Sequence, residues 1–348
     1  MQWPWKRVRS QDQLIVSWSD QALAFVEARQ ADGRFTVKRM DVVEQGTDSS
    51  KAFAERLSAM GLAGHPALAM LGTEQCMLLQ IPAPAVPAEE LRSAARYQIR
   101  DMVDTHLDDL TLDVLHVGDG QDKSAGQLFV VTAANTVIRD FMQLASAMQW
   151  SLPVIDVQEM AQRNLQTAWA RASGLGERAS AALVVVNDKQ ALLTISAKGE
   201  LYYSRRLDLP AGFMAMPWGA AIGVEAAPVD AYTPVGEYVP DYGRPASGFG
   251  LEEAPDAGND RAQRVLVELQ RSLDLWDRTW TSLPLASVGV YAGGRSAELA
   301  DWLRQGLGQP VSAVDPASLF EGVPAQSEAH QPRCLPLLGM LLRNGEPS

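Results

Sequence analysis

The two halves of the chain open alike. Each runs a cluster of short apolar segments into segments of helical period, and that repetition constrains the fold more than any single motif. In the N-terminal half, Leu14–Gln30 and Arg34–Val43 read as strands, the second alternating Phe35 and Val37 and then, after two polar positions, Met40 and Val42. In the C-terminal half, Ala182–Val186, Ala191–Ser196 and Leu201–Leu207 read as a meander of three strands. The likeness is a loose duplication without a measurable repeat. With 348 residues, 47% hydrophobic and 21% charged, the chain is expected to be a globular α/β protein of two domains or two lobes.

The segments between follow the same logic. Ala52–Gly61 is expected to be helical, with Phe53, Leu57 and Met60 on one face, and Ala67–Leu71 and Met77–Ile81 are short apolar strands. The proline cluster IPAPAVPAEE stops the second of these and opens a helix, Ala88–Val103, with Glu89 and Glu90 in its first turn. That helix puts Leu91, Ala95, Ile99 and Met102 on one face and Arg92, Arg96 and Arg100 in a second row. Leu110–Val117 and Gln127–Thr132 are strands flanking a turn-rich hairpin tip. A helix from Thr136 follows, then a strand at Val154–Ile155, with Asp156 expected to cap the helix through Met160, Leu165 and Trp169. Residues 211–258 hold 14 Gly or Pro and seven acids against Arg244 alone, and read as a loop or disordered insert. Ala262, Leu266, Leu269, Leu273, Trp276 and Trp280 then mark a long helix. Their spacing suits a coiled-coil seam or a helix packed on a sheet, and the short length favours the sheet. Val288–Tyr291, Ala297–Leu307, Val311–Val314 and Leu335–Leu342 close the chain as strand, helix, strand and helix.

Charge and motif content exclude several classes of function. Lys and Arg number 30 against 42 Asp and Glu, a net charge of −12, which disfavours a nucleic-acid phosphate backbone as ligand. The two cysteines, Cys76 and Cys334, cannot build a disulfide framework or a multi-cysteine metal site, and they fit a reducing cytosol. No apolar run approaches the ~20 residues that span a bilayer, so a cytoplasmic location is expected. There is no phosphate-binding P-loop, no metalloprotease helix motif and no nucleophile elbow. His106 lies among Asp101, Asp104, Asp108, Asp109 and Asp113, but on no defined helical face, and reads as a solvated acidic helix end rather than a metal site. The first ten residues, MQWPWKRVRS, differ from the rest. Trp3 and Trp5 beside Lys6, Arg7 and Arg9 suit a weak contact with an anionic membrane surface, or else a frayed terminus packed on the domain.

The order of segments carries a resemblance. QIPAPAVPAEELRSAARYQIRDMVDTHLDDLTLDVLHV, ASAMQWSLPVIDVQEMAQRNL, VGVYAGGRSAELADWLRQGLGQPVSAVDP and LPLLGMLLR together resemble PilM-like proteins of type IV pilus assembly, over about residues 13–210 and 260–343. The resemblance implies a two-lobed actin-like fold of mixed sheets. A basic tail at 1–10 would precede a first lobe at 11–74 and 135–175. A small domain would be inserted at 75–134, and a second lobe would comprise 176–210 and 260–343, with the acidic insert at 211–259.

It also implies where a nucleotide would sit. Such proteins hold phosphate and magnesium on two hairpins, each usually Asp-x-Gly, because glycine lets backbone N–H groups approach phosphate and aspartate holds the metal through water. Here Ser17 stands for the first Asp and Ser19 for its Gly, while Val185 and Asn187 stand in the second hairpin. Ala24 replaces a lysine, and no lysine follows Lys198. Only the adenosine-side Gly293–Gly294 survives. The cleft therefore reads as degenerate: catalysis is not expected, no metal site is assigned, and binding of ATP with magnesium is left open. By the same resemblance, the partner is the cytoplasmic tail of a PilN-like bitopic membrane protein, held beside the inserted domain, with Arg92, Arg96, Tyr97 and Arg100 as candidate contacts. Other pilus assembly-platform proteins are further expected partners. The alternatives are an active actin-like ATPase, and a GspL-like cytoplasmic component of type II secretion.

Overall fold

A computed structural model of the chain describes residues 11–19, 21–31, 33–118, 126–218, 257–324 and 330–343. It opens with an antiparallel meander, β1 (Gln11–Ser19), β2 (Ala22–Ala31) and β3 (Arg34–Glu44). Leu14–Gln30, expected as one strand, is thus a hairpin. The chain reverses after Ser19 with Gln21 at φ 57°, in a turn that carries neither Gly nor Pro to announce it. Helix α1 (Ser50–Ala59) leads to β4 (Ala67–Leu71), which joins β1 in parallel. Then β5 (Cys76–Pro82), α2 (Leu91–Gln98), β6 (Leu110–His116) and β7 (Gln127–Ala134) build a separate three-stranded sheet, ordered β5-β7-β6, with α2 on one face. Helix α3 (Asn135–Ala147) and β8 (Ile155–Val157) return to the first sheet, and α4 (Gln158–Ala172) leaves it.

The second half repeats the plan. β9 (Ala179–Asn187), β10 (Gln190–Ala197) and β11 (Glu200–Asp208) form the meander, followed by α5 (Ala257–Thr279), β12 (Leu285–Tyr291), α6 (Ser296–Leu307), β13 (Val311–Ala313) and α7 (Gln331–Leu341). The two five-stranded sheets run β3-β2-β1-β4-β8 and β11-β10-β9-β12-β13. Each has three antiparallel strands and then two parallel ones, and the parallel additions need crossovers long enough to hold helices. This is the two-lobed actin-like arrangement. The long helix α5 is a domain helix: Leu269, Leu273 and Trp276 are buried in the second lobe's core.

Two expectations need correction at the level of helices. The span 88–103 is not one helix. Ala88–Glu90 and Arg100–Met102 are single 3₁₀ turns on either side of α2, and this tighter winding takes Met102 off the apolar face, leaving it 47% exposed. Asp156 does not cap α4. Val157 holds the cap position without a side-chain bond, and Asp156 instead bonds the Val157 N–H and pairs with Arg343. Of the acidic insert, Phe213 and Trp218 are packed in the second lobe's core, and residues 219–256 lie outside the described ones.

The lobes exchange their last helices. Helix α4 leaves the first sheet to pack on β9–β11, and α7 leaves the second to pack on β1–β3. Where they cross, a Cβ on Gly339 would run into the Ala161 carbonyl, so only glycine permits this approach. Asn164 Nδ2 donates to the Gly339 carbonyl at 3.1 Å in the same crossing. Enclosed between two sheets, α4 has little access to water, and its polar residues bond to protein instead. Gln162 Nε2 donates to the Ala182 and Leu192 carbonyls at 3.0 Å each, and Thr194 Oγ1 donates to Gln166 Oε1 at 2.8 Å.

Candidate functional site

Two cavities of different character flank this crossing. The first is the cleft between the lobes. Ser17 and Ser19 from β1, Asn187 from β9, Gly72 and Glu74 after β4, Gln158 at the start of α4, and Arg333 on α7 line a space of about 200 Å³. The three hairpin residues picked out from sequence therefore do meet. Gly293 and Gly294 line a neighbouring space of about 370 Å³ with Tyr291, Asp315 and Gln331. Burial pushes the Tyr291 phenol up to about 12, so it stays neutral and a hydrogen-bond donor at physiological pH.

The chemistry around the first space is mostly neutral. Gln158 is buried, and its Nε2 has no hydrogen-bond partner, so one amide donor faces the cavity side of α4. Glu74 folds back over Gly72, its carboxylate within 2.6 Å of where a Cβ would stand. A carboxylate there repels phosphate oxygens. Arg333 lies 3.7 Å from Glu44. On the adenosine side, the Gln331 side chain presses against the Cα of Gly293, in a position that a Cβ would claim. The space on the phosphate side is smaller than the ~300–1,000 Å³ common for small-molecule sites.

Bonds between the lobes hold this cleft in place. Thr73 Oγ1 donates to Gln190 Oε1 at 3.1 Å, from the end of β4 to the start of β10. On the β3 edge, Val37 N–H donates to the Glu321 carbonyl at 2.8 Å, and Glu321 N–H to Phe35 at 3.3 Å, so the segment after β13 lies against the first lobe. The small sheet adds a third set. Gly118 N–H donates to the Leu201 carbonyl at 2.8 Å, and Arg206 donates both to the Cys76 carbonyl at 2.8 Å and to Glu159 Oε1 at 3.0 Å. Glu159 is 1% exposed, so this ion pair is a buried one with a large penalty for losing a partner. Burial, with the Glu159 charge beside it, pushes the Cys76 thiol far above its ordinary value.

The second cavity is a groove of about 860 Å³ beside the small sheet. It runs between the edge strands β6 (Asp113, Val114, Leu115) and β8 (Ile155, Asp156, Val157). Met160, Arg163, Thr167 and Ala168 of α4 line it, with Lys198–Glu200 of the β10–β11 turn and Leu342–Arg343 of the chain end. Val114, Leu115, Val131 and Met160 give it an apolar component. Its cations are largely matched: Arg163 pairs with Glu200 at 3.0 Å, Arg343 with Asp156 at 2.8 Å and Arg171 with Glu177 at 3.3 Å. The groove thus offers mixed polar and apolar walls with its charges largely paired rather than a field of one sign.

The arginine row of α2 is not a free basic face. Arg92 pairs with Asp113 at 2.7 Å, and Arg96 pairs with Asp108 at 3.1 Å and bonds the Leu107 carbonyl, so two of the three tie α2 to β6 and the turn before it. Arg100 and Tyr97 are exposed, Tyr97 at 75%. Arg92 reaches the groove only through Asp113. His106 accepts the Asp108 N–H at 3.3 Å and caps a 3₁₀ turn. Trp3, Trp5, Lys6, Arg7 and Arg9 lie outside the described residues. Sequence reasoning did not find the groove residues of α4, because Arg163, Thr167 and Ala168 lie on a face that reads as ordinary solvent surface.

Comparison with known proteins yields fold likeness alone. No family model matches the chain, and no curated protein matches it. Among solved structures, a PilM–PilN type IV pilus biogenesis complex superposes with a TM-score of 0.63 at 17% identity, over 97% of this chain and 100% of that one. The cytoplasmic domain of EpsL, an inner-membrane component of the Vibrio cholerae type II secretion system, gives 0.40 at 13% identity, over 57% of this chain and 71% of that one. A Bacteroides thetaiotaomicron protein of actin-like ATPase fold and unknown function gives 0.48 at 9% identity, over 93% and 96%.

Proposed function

We propose that this chain is a PilM-like, non-catalytic scaffold of the inner-membrane assembly platform of a type IV pilus, most like MshI of mannose-sensitive haemagglutinin pili. Its proposed partner is the cytoplasmic tail of a PilN-like membrane protein, bound in the groove beside the small sheet. The groove itself is the observation that carries this reading. At about 860 Å³, with an apolar component and internally paired charges, it suits a short extended peptide with aliphatic side chains. The fold likeness to a PilM–PilN complex supports it.

The cleft supports the non-catalytic part. With Ser17 where the first metal-holding aspartate would stand, Val185 turned into the second lobe's core, and Glu74 turned toward the phosphate side, the lining suits magnesium and a triphosphate poorly. No step is assigned to it. The test is calorimetric titration of the full chain with a synthetic peptide of the cytoplasmic tail of a PilN-like protein from the same genome. Binding is expected, with at least a tenfold loss in Ala168→Trp, which fills the groove from the surface of α4 without disturbing its core face. Absence of binding, or binding untouched by Ala168→Trp, would refute the site.

The N-terminal Trp3, Trp5, Lys6, Arg7 and Arg9 are proposed as a peripheral contact with anionic lipid at the cytoplasmic face. Deleting residues 2–9 should abolish salt-sensitive vesicle binding, and equal binding by the truncated chain would remove the segment from that role.

A further inference from the structure

One device recurs on the terminal strands of the sheets, β3, β6 and β8. On β3 the Val42 N–H donates to Asp41 Oδ1 at 2.8 Å, on β6 the Val114 N–H to Asp113 Oδ1 at 2.9 Å, and on β8 the Val157 N–H to Asp156 Oδ1 at 2.8 Å. Each strand is terminal in its sheet. Each carboxylate is gripped from a different element: Asp41 by His330 at 3.0 Å, Asp113 by Arg92 at 2.7 Å and Asp156 by Arg343 at 2.8 Å. An edge strand presents N–H groups directed away from its sheet, and these are the groups an added strand must engage. A carboxylate folded onto the amide takes that donor and sets negative charge where an incoming carbonyl oxygen would come.

Asp113 and Asp156 both line the groove, one on each flanking strand. Resting on the peptide-binding reading for its occupant, we infer that the groove accepts an extended chain by side-chain insertion, and that Asp113 and Asp156 close its two strand edges to β-sheet addition. Strand addition would draw affinity from main-chain bonds, with alternate side chains in pockets. Here one main-chain donor on each edge, Val114 within β6 and Val157 at the end of β8, is already used, and freeing either one means breaking a charge-assisted bond and loosening an arginine pair. What remains for recognition is apolar surface from Val114, Leu115 and Met160, beside side-chain polar groups such as Asn164 and Thr167. A neutral aliphatic segment matches this, since the surrounding cations are paired. Arg92 and Arg343 are then positioning residues that hold the two carboxylates.

Two measurements test this. The tail peptide is synthesised unmodified and in two forms with alternate backbone amides N-methylated, one for each strand register, and all three are titrated into the full chain. Both methylated peptides are expected to bind within about threefold of the unmodified one, whereas a loss of about tenfold or more in either register would overturn the inference. The second measurement needs no peptide. Amide hydrogen exchange at Val114 should accelerate by about tenfold or more in Asp113→Ala, and likewise at Val157 in Asp156→Ala, and unchanged exchange at both amides would overturn the inference. If the unmodified peptide fails to bind, the proposed function falls, while exchange still decides whether the edges are closed.

Discussion

The cleft and the groove share helix α4 as a wall and differ in almost everything else. The cleft lies where both meanders turn toward each other, and it is stitched. Thr73 bonds Gln190 across it, Glu321 bonds the β3 edge, and Gln331 fills the space against Gly293. The groove lies on the far side of α4, where β8 and β6 leave an opening of about 860 Å³ against about 200 Å³ on the phosphate side of the cleft. Polar groups in the cleft bond lobe to lobe. Those in the groove pair along its walls and leave apolar surface open between them. On the proposed reading, a two-lobed body of this kind keeps its packing while peptide binding is served by the groove beside the small sheet.

Breaking the shared scaffold should abolish both cavities at once. Gly339→Leu drives a side chain into the Ala161 backbone where α4 crosses α7, and urea unfolding should show a loss of about 3 kcal/mol or more, or no soluble protein. Near-native stability would mean that the helices do not cross this closely. Arg206→Met should separate the two regions. It strands the buried Glu159 carboxylate and detaches the Cys76 carbonyl, costing about 2 kcal/mol after allowance for the partial exposure of Arg206. Adding Glu159→Gln should recover part of that, and no recovery would argue against a charge penalty.

The smallest effect is read with pH. Burial pushes the Cys334 thiol up to about 12 and the Cys76 thiol higher still. Unfolded, each ionises near about 8.5, so the unfolded chain loses protons first as pH rises. The stability held below that value should decline above it, by on the order of 1 kcal/mol per pH unit per thiol. Cys334→Ala should flatten this alkaline limb, and an unchanged limb would place the loss elsewhere. Thiol reagents should label neither cysteine in the native protein at neutral pH.

The lobes were legible in the sequence because strand meanders and amphipathic helices carry periodic apolar signals, as Ala262 to Trp280 do along α5. The β1–β2 turn was not, since no glycine or proline marks it. Gln162 and Gln166 are polar residues that the structure buries, because α4 between two sheets bonds their amides to strand carbonyls and hydroxyls. The hairpin residues Ser17, Ser19 and Asn187, which the resemblance put at one cleft, line one space. The arginine row misled. Spacing shows that Arg92, Arg96 and Arg100 share a face of α2, but not that Asp113 and Asp108 wait on the next elements.

Titrating the full chain with the tail peptide, with and without magnesium ATP, tests the central claim that binding has moved from the cleft to the groove. The account predicts peptide binding of the same affinity in both conditions and no heat from nucleotide alone. Micromolar, magnesium-dependent ATP binding, or peptide binding that appears only with nucleotide, would contradict it.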